Sequence, residues 1–160
     1  MPFDTTLQRK IMGHFATGVT VVTTRVGEEF YGMTANAVAS LSLNPPMVLV
    51  CVDKRAAMHE YLRTSMCYGM NFLAESQEAI STRFAMKGPK SFSDLDWFSA
   101  ETGSPIFRDS LAYVDCQVVD IAAGGDHDIF IGQIVAGDLL HASDAPLLYF
   151  SGKYRKLAGE

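Results

Sequence analysis

Two long strand-like runs near the C-terminus, separated by a short turn-forming segment, constrain the fold of this chain more than any other feature. Residues 112–122 and 129–140 are rich in β-branched and other apolar residues, a composition typical of strands. The segment between them, Ala123-Gly124-Gly125-Asp126-His127-Asp128, has the glycines and aspartates of a hairpin turn. The pattern predicts a long antiparallel hairpin, in which neighbouring strands pair directly and no crossover helix is needed.

Strand patterns also occur earlier in the chain and at its end. Residues 19–25 and 30–34 predict a second hairpin, and the continuous apolar run 47–52 predicts a strand that is buried on both faces. Residues 67–73 and 146–150 predict two further strands. The chain is therefore expected to contain about six or seven strands, most of them arranged as hairpins.

Three segments have the pattern of helices outside these strands. Between residues 3 and 15 an apolar residue recurs at every fourth position, which predicts an amphipathic helix. Residues 56–63 predict a short second helix, and Ser76 can cap a third helix that carries Phe84 on its apolar face. The segment 87–110 contains prolines, glycines, serines and the only tryptophan, and it predicts a long loop.

Hairpin strands with two or three helices outside them predict a mainly β fold with peripheral helices, in the form of an antiparallel closed barrel. A chain of 160 residues is the size of one ordinary domain, and the sequence contains no internal repeat, low-complexity tract or linker. Residues 1–160 are therefore predicted to form a single domain.

Composition and charge exclude several classes of protein. The chain is 48% hydrophobic and 19% charged, which is typical of a globular protein. Its net charge of −5 provides no cationic field for a nucleic acid. No apolar run reaches the roughly 18 residues of a membrane span, and the N-terminus lacks the pattern of a signal peptide, so no membrane contact and a cytoplasmic location are expected. Three widely spaced cysteines argue against a disulfide framework and against a zinc site.

Several catalytic motifs are absent. The sequence has neither GxGxxG nor a Walker-type phosphate loop, and no GxSxG elbow. His59-Glu60 begins like the HExxH zinc motif, but Arg63 stands where the second histidine is required. The other histidines are scattered without the spacing of paired ligands, so no metal site is expected.

The stretch that runs from Gly32 to Pro46, GMTANAVASLSLNPP, is dense in small and hydroxyl residues. Small side chains allow a flat ligand to approach backbone N–H and C=O groups, while Ser40 and Ser42 can donate to phosphate oxygens. This chemistry suits flavin mononucleotide (FMN). The alternative is a serine-rich connector between two strands.

Four segments together resemble the short-chain flavin reductases, a family with the FMN-binding, antiparallel Greek-key split-barrel fold that supplies reduced flavin to two-component monooxygenases. The segments are FATGVTVVTT from Phe15, the GMTANAVASLSLNPP stretch, Gly125-Asp126-His127, and PLLYF with the following GKY at residues 146–154. In order and spacing they cover nearly the whole chain. The chain is also similar to the reductases that serve aromatic-ring hydroxylases.

The resemblance implies a set of cofactor-binding residues. Thr34, Ala35, Asn36 and Ala37 match the stretch that lines the flavin ring, and Ser40 and Ser42 match hydroxyls on the phosphate side. Asp53, Lys54, Arg55 and Ala56 match a turn near the ribityl phosphate, where Ala56 replaces the serine or threonine often found in the family. Arg83, Phe84 and Tyr154 match regions that flank the flavin, although Phe84 is also expected to serve the core. His127 matches a histidine beside the nicotinamide dinucleotide site and is the predicted catalytic residue.

The function implied is hydride transfer from NADH or NADPH to FMN or FAD, with a homodimer and a partner oxygenase as expected associations. Hydride transfer needs no protein nucleophile, because the cofactors carry the chemistry. Three alternatives are an oxidase resembling pyridoxine phosphate oxidase, a barrel that stores or senses FMN without catalysis, and a flavin-independent carrier of apolar ligands.

Overall fold

A computed structural model describes residues 1–159. Within them lie the helices α1 Thr5–Gly13, α2 Ala57–Ser65 and α3 Glu78–Ala85, with a 3₁₀ turn at Glu75–Gln77 before α3. The strands are β1 Thr17–Gly18, β2 Thr20–Val26, β3 Glu29–Ala35, β4 Val38–Leu43, β5 Pro46–Asp53, β6 Cys67–Phe72, β7 Trp97–Ser99, β8 Pro105–Phe107, β9 Ala112–Gly124, β10 His127–Leu139, β11 Leu148–Phe150 and β12 Lys153–Arg155. This composition confirms the predicted mainly β fold with peripheral helices.

Seven strands form one antiparallel sheet in the order β3-β2-β6-β9-β10-β5-β4. Its two edge strands, β3 and β4, are consecutive in the chain and are joined only by Asn36 and Ala37. A two-residue connection spans only a few ångströms, so the opposite edges of the sheet must curl round to meet. The Cys51 N–H, on the strand next to β4, donates to the Ala37 carbonyl at 2.9 Å and fixes this junction. The sheet is therefore a barrel that is split between β3 and β4.

The long hairpin predicted near the C-terminus is confirmed, and it is longer than predicted. Strands β9 and β10 each contain 13 residues. Only Gly125 and Asp126 form the turn, and Gly125 has the positive φ of 67° that a tight hairpin turn requires. His127 was expected within the turn but is the first residue of β10, paired with Gly124 on one side and with Asp53 on the other.

Two apolar clusters occupy the two sides of the sheet. The first lies inside the barrel beneath α2 and includes Tyr68 and Phe130, both fully buried. The second lies outside the barrel, where Phe84 of α3 packs near Phe92 and Phe107 of the segment that follows. The prediction of a long loop over residues 87–110 is wrong in part, because β7 and β8 form a short hairpin within this segment. Packing of this segment over the second cluster provides the order that its sequence alone does not predict.

Two further expectations about local structure are corrected. Ser76 does not cap the third helix, because a 3₁₀ turn precedes α3 and the buried Gln77 side chain accepts from the Ala74 N–H at 2.8 Å. The alternative of a serine-rich connector between two strands does not hold either, because residues 38–43 form β4 and pair with β5. A register shift between Ser40 and Ser42 marks a bulge in this edge strand.

The predicted N-terminal helix is present, with the Asp4 carboxylate accepting from the Thr6 N–H at 2.8 Å as its cap. Helix α1 buries none of its residues. Its apolar stripe is exposed to solvent, with Phe3 at 63%, Ile11 at 52% and Phe15, just beyond the helix, at 70%. A stripe of this kind is normally buried against another surface.

Within residues 1–159, no helix has the length and apolar character needed to cross a membrane. The same residues contain no cluster of three or more histidine, cysteine, aspartate or glutamate side chains that could hold a metal ion.

Candidate active site

A cavity of about 880 Å³ runs along the free edge of β3. One flank is formed by the turn after β5 and the start of α2, and the other by the end of α3 and the residues that follow it. Every residue from Glu29 to Asn36 borders the cavity. Because alternate side chains of a strand point to opposite faces, consecutive residues can all border it only where the strand presents its backbone edge. The volume is typical of a site for a small molecule or cofactor.

The backbone of β3 supplies polar groups to this cavity. Among residues 1–159, β3 pairs with β2 alone, so about half of its N–H and C=O groups face away from the sheet. At Gly32 a Cβ atom would lie 2.8 Å from two ring carbons of Phe84, so glycine is needed for the ring to lie against the strand. The result is a cleft with main-chain donors and acceptors along one side and the apolar ring of Phe84 against the strand.

A chain of hydrogen bonds closes one end of the cleft. The Thr34 hydroxyl donates to the Ser81 carbonyl at 2.6 Å, and the Ser81 and Tyr154 hydroxyls lie 2.6 Å apart. All three residues border the cavity, as do Ala35 and Asn36. The hydroxyl of Thr34 thus attaches β3 to α3, while the Asn36 side-chain amide donates to the Thr17 hydroxyl at 3.2 Å.

The turn after β5 presents a cation to the cavity. The Arg55 side chain contacts the Asp53 carboxylate at 3.0 Å, and the Arg55 N–H donates to it at 2.8 Å. These bonds from Arg55 lower the pKa of Asp53 to about 2, and the charge of His127 adds to the effect. The Arg55 side chain is 84% exposed and keeps further N–H groups free.

The N-terminus of α2 lies in the same wall. Its N-cap residue is Ala56, which forms no side-chain cap hydrogen bond, and Ala56, Ala57 and Met58 all border the cavity. The first N–H groups of a helix have no partner within the helix, and together with the helix dipole they attract anions. Arg55 and this helix end could therefore hold a phosphate group.

Several residues predicted for the site lie outside the cavity wall. The Lys54 ammonium group is 4.0 Å from an Asp128 carboxylate oxygen, and the Arg83 guanidinium donates to both Asp94 carboxylate oxygens at 2.8 Å. Arg83 consequently attaches α3 to the following segment. Phe84 borders the cavity but is only 1% exposed, so it also belongs to the second apolar cluster.

Three other predicted contacts and the predicted catalytic residue are also outside the wall. Ala37 forms the junction between the edge strands, and Ser40 and Ser42 lie on β4. His127 does not border the cavity, but it faces Asp53 across β5 and β10, at the rim. One of its ring nitrogens lies 2.7 Å from the Asp126 carboxylate, and this contact lowers the pKa of Asp126.

Comparison with known proteins assigns this architecture to a family. Residues 12–158 match the family described as "Flavin reductase like domain". The chain belongs to this family.

Other flavin reductases are similar along almost the whole chain. The reductase subunit HsaB of a flavin-dependent monooxygenase from Mycobacterium tuberculosis is 37% identical over 95% of this chain and 82% of its own length. The solved structure of flavin reductase PheA2 has a TM-score of 0.90 and 42% identity, covering 98% of this chain and all of that one. The NADH:FAD oxidoreductase SgcE6 of Streptomyces globisporus, in complex with NAD and FAD fragments, has a TM-score of 0.92 and 35% identity, covering 98% and 94%.

These comparisons confirm the predicted family, the split-barrel fold class and the prediction of an NAD(P)H-dependent flavin reductase. The Greek-key connectivity stays a prediction. The residues present fit a flavin, because the cleft along β3 matches a flat ring with a polar edge, and Arg55 with the start of α2 matches a phosphate.

Other residues of this flavin reductase border the cavity without having been predicted. Tyr31 of β3 and Tyr61 of α2 stack with ring centroids 3.6 Å apart, and Ser81, Lys90 and Tyr149 also contribute to the wall. Tyr31 directly precedes the GMTANAVASLSLNPP stretch, and this position in the sequence could have marked it as a candidate site residue. No local pattern could place Tyr61, because the two rings come together only through the packing of α2 on the sheet.

Proposed function

We propose that the cavity along β3 binds the flavin, with the ring against the free edge of β3 and the ribityl phosphate at Arg55 and the N-terminus of α2. The observation that carries this assignment is the presence of an open strand edge and an anion-attracting helix end in one cavity. FMN and FAD both have this phosphate, so both can occupy the site. Thr34, Ala35 and Asn36 lie where the ring is placed.

When bound, the nicotinamide supplies a hydride and the flavin accepts it. The protein binds and orients the reactants. Main-chain N–H groups on the free edge of β3 would donate to the polar edge of a bound flavin ring and favour negative charge there. Phe84 and its apolar neighbours exclude water from one side of the cleft, and Arg55 anchors the phosphate. The pairing of His127 with Asp53, a residue of the cavity wall, supports a role for His127 in binding the nicotinamide dinucleotide, and this role needs no proton transfer.

The test is anaerobic stopped-flow mixing of protein and FMN with NADH, with the loss of flavin absorbance as the readout. We expect bleaching much faster than in the protein-free control. Repetition with FAD and with NADPH establishes which flavin and which nicotinamide dinucleotide are preferred. Tight flavin binding without bleaching would instead support a storage or sensor function, and absence of flavin binding would contradict the assignment of the cavity.

Replacement of His127 with alanine tests the role of this residue. We expect the KM for NADH to rise about fivefold, the effect of losing about one hydrogen bond, while the Kd for FMN stays unchanged. His141→Ala, which removes an exposed histidine outside the cavity, is the control. An unchanged KM for NADH in His127→Ala would exclude this role.

We further propose that the chain is a homodimer whose interface includes the exposed apolar stripe of α1. Helix α1 is attached through its C-terminal end, where the Ser151 N–H donates to the Gly13 carbonyl, and it buries none of its own residues. An apolar stripe left uncovered in one copy is well suited to self-association, in which each copy covers the other.

Sedimentation checks the dimer. The expected mass is about 35 kDa, twice the 17.5 kDa of one chain. Ile11→Asp, which places a charge at the centre of the stripe, should shift the protein to monomers, whereas Arg9→Asp on the opposite face of α1 should not. A wild-type protein that sediments as one chain with full activity would contradict the proposal.

Three further proposals concern the number of domains, the cellular location and the partner protein. We infer that the chain forms one domain, because both apolar clusters share strand β2, with Val22 in one and Val21 in the other. A cytoplasmic location is supported by three free cysteines, which fit a reducing compartment. The similarity to HsaB supports delivery of reduced flavin to a monooxygenase component. The similarity to the reductase component of a 4-nitrophenol 4-monooxygenase from Rhodococcus opacus supports a monooxygenase component that acts on an aromatic compound.

A further inference from the structure

A nearly buried histidine and aspartate form a hydrogen-bonded pair next to residues of the cavity wall. The Nε2 atom of His59 lies 2.6 Å from a carboxylate oxygen of Asp128, and the two side chains are 13% and 11% exposed. The bond from His59 lowers the pKa of Asp128, and the charge of Lys54 adds to this effect. The Asp128 carboxylate is therefore ionised at neutral pH and can only accept, so the His59 ring donates. Neither residue of the pair borders the cavity, so the pair can affect a bound ligand only through other residues.

The sheet holds the Asp128 end of this pair in place. Asp128 is the second residue of β10, and it pairs with Val52 of β5 on one side and with Ala123 of β9 on the other. Its side chain lies on the same face of β10 as that of Phe130, which is fully buried inside the barrel. The His59 ring packs edge-on against the Phe130 ring, with centroids 5.5 Å apart. The barrel thus supplies α2 with an acceptor whose position is fixed.

The first turn of α2 lacks the usual side-chain cap. Its N-cap residue Ala56 forms no cap hydrogen bond, so the stabilisation that serine, threonine or aspartate gives at this position is missing. Met58 of the same turn is buried in the first apolar cluster, but apolar packing is not directional. A hydrogen bond constrains both distance and angle. His59 is the third residue of α2, so its bond to Asp128 orients the first turn relative to the sheet.

This first turn is the part of the wall that is proposed to bind the flavin phosphate. Ala57 and Met58 border the cavity, and their N–H groups, the first two of the helix, have no partner within it. Bonds from these groups to a phosphate depend on direction as well as distance, so a change in the tilt of the turn would weaken them.

We propose that His59 and Asp128 are positioning residues, whose hydrogen bond holds the first turn of α2 so that its free N–H groups point at the flavin phosphate. The proposal rests on the assignment of the phosphate to this end of α2.

A direct effect of charge would have the opposite sign. Asp128 is an anion, and the Lys54 ammonium group lies 4.0 Å from its carboxylate. Removal of Asp128 takes away a negative charge and leaves Lys54 without this partner. By electrostatics alone, both changes strengthen the binding of a phosphate. Loss of positioning weakens it instead.

Substitution of each partner with leucine tests the proposal. We expect Asp128→Leu and His59→Leu each to raise the Kd for FMN about tenfold, the effect of losing about one charge-assisted hydrogen bond, and to leave the Kd for riboflavin unchanged. Titration of flavin fluorescence supplies both values. Asp128→Asn keeps an acceptor oxygen for His59 and should bind FMN as the wild type does. The double leucine variant should show no further loss, because both substitutions remove the same bond. Asp115→Asn, which alters a buried carboxylate outside the cavity, is the control for a loss of stability.

Three results would overturn the proposal. They are equal losses of FMN and riboflavin binding in the leucine variants, FMN binding in Asp128→Leu that is unchanged or tighter, and losses that add in the double variant. A wild-type protein that binds FMN no more tightly than riboflavin would contradict the proposed phosphate site itself, and this result is distinguishable because it needs no variant.

Discussion

Replacement of Arg55 with glutamine is expected to weaken FMN binding about thirtyfold while leaving riboflavin binding unchanged, since charge-assisted bonds to phosphate are among the stronger hydrogen bonds. Riboflavin has the same ring and ribityl chain but no phosphate, so the comparison isolates the contact that Arg55 makes. The Kd values can be measured by titration of flavin fluorescence. Arg108→Gln, which removes an arginine outside the cavity, is the control.

Asp53 pairs with Arg55 at 3.0 Å. A second variant is therefore needed to separate the effect of the Asp53 carboxylate on FMN binding from the effect of Arg55. In Arg55→Gln the Asp53 charge is left without this partner and repels phosphate, which adds to the loss. The double variant Asp53→Asn with Arg55→Gln removes that repulsion and should recover part of the FMN affinity. An equal loss of riboflavin and FMN binding would show that Arg55 does not contact the phosphate.

The largest effect on stability is expected from Asp115→Ala. The Asp115 carboxylate is fully buried and accepts from the Glu101 and Thr102 N–H groups, both at 2.8 Å, and from the Thr102 hydroxyl at 2.6 Å. Its removal leaves these donors without their partner, for an expected loss of about 3 kcal/mol. The melting temperature should then fall by roughly 6–12 °C.

Asp115→Asn is the matched variant, because it keeps the volume and one acceptor oxygen. Its loss of stability should be about half that of Asp115→Ala. Urea denaturation supplies the free energies of unfolding for both variants and the wild type. A melting temperature for Asp115→Ala equal to that of the wild type would exclude a role for this carboxylate in holding the segment before β8.

Much of the barrel could be predicted because its strands have strong local signals. The β-branched residues of β9 and β10, with Gly125 between them, predict the hairpin without tertiary information. Strand β4 has no such signal, since its alanine and serines have a low strand preference, and its pairing with β5 depends on closure of the barrel. Strands β7 and β8 contain three residues each, and their order depends on packing against the second apolar cluster.

The sequence predicted site residues whose place depends on the course of the backbone. It did not predict the contacts between side chains that are distant in the sequence. The resemblance placed Arg55 and Ala56 on the cavity. Lys54 and Arg83 have the same charge as Arg55, but their side chains contact Asp128 and Asp94, which the sequence does not mark as partners. The stacking of Tyr31 on Tyr61 likewise depends on how α2 packs against the sheet. These ion pairs and this stacking depend on the tertiary structure.

The free edge of β3 also affects how this protein can be engineered. The N–H and C=O groups that face the cavity belong to the main chain, and substitution of a side chain leaves them in place. Residues along Glu29–Asn36 can therefore be varied to change the shape and charge of the cavity while the ladder of donors and acceptors is retained. Three positions are exceptions: any Cβ at Gly32 meets Phe84, the Thr34 hydroxyl attaches β3 to α3, and Ala35 is buried in the first apolar cluster. A library that varies the other positions and keeps these three residues should thus yield altered preferences among flavins in proteins that still bind the ring.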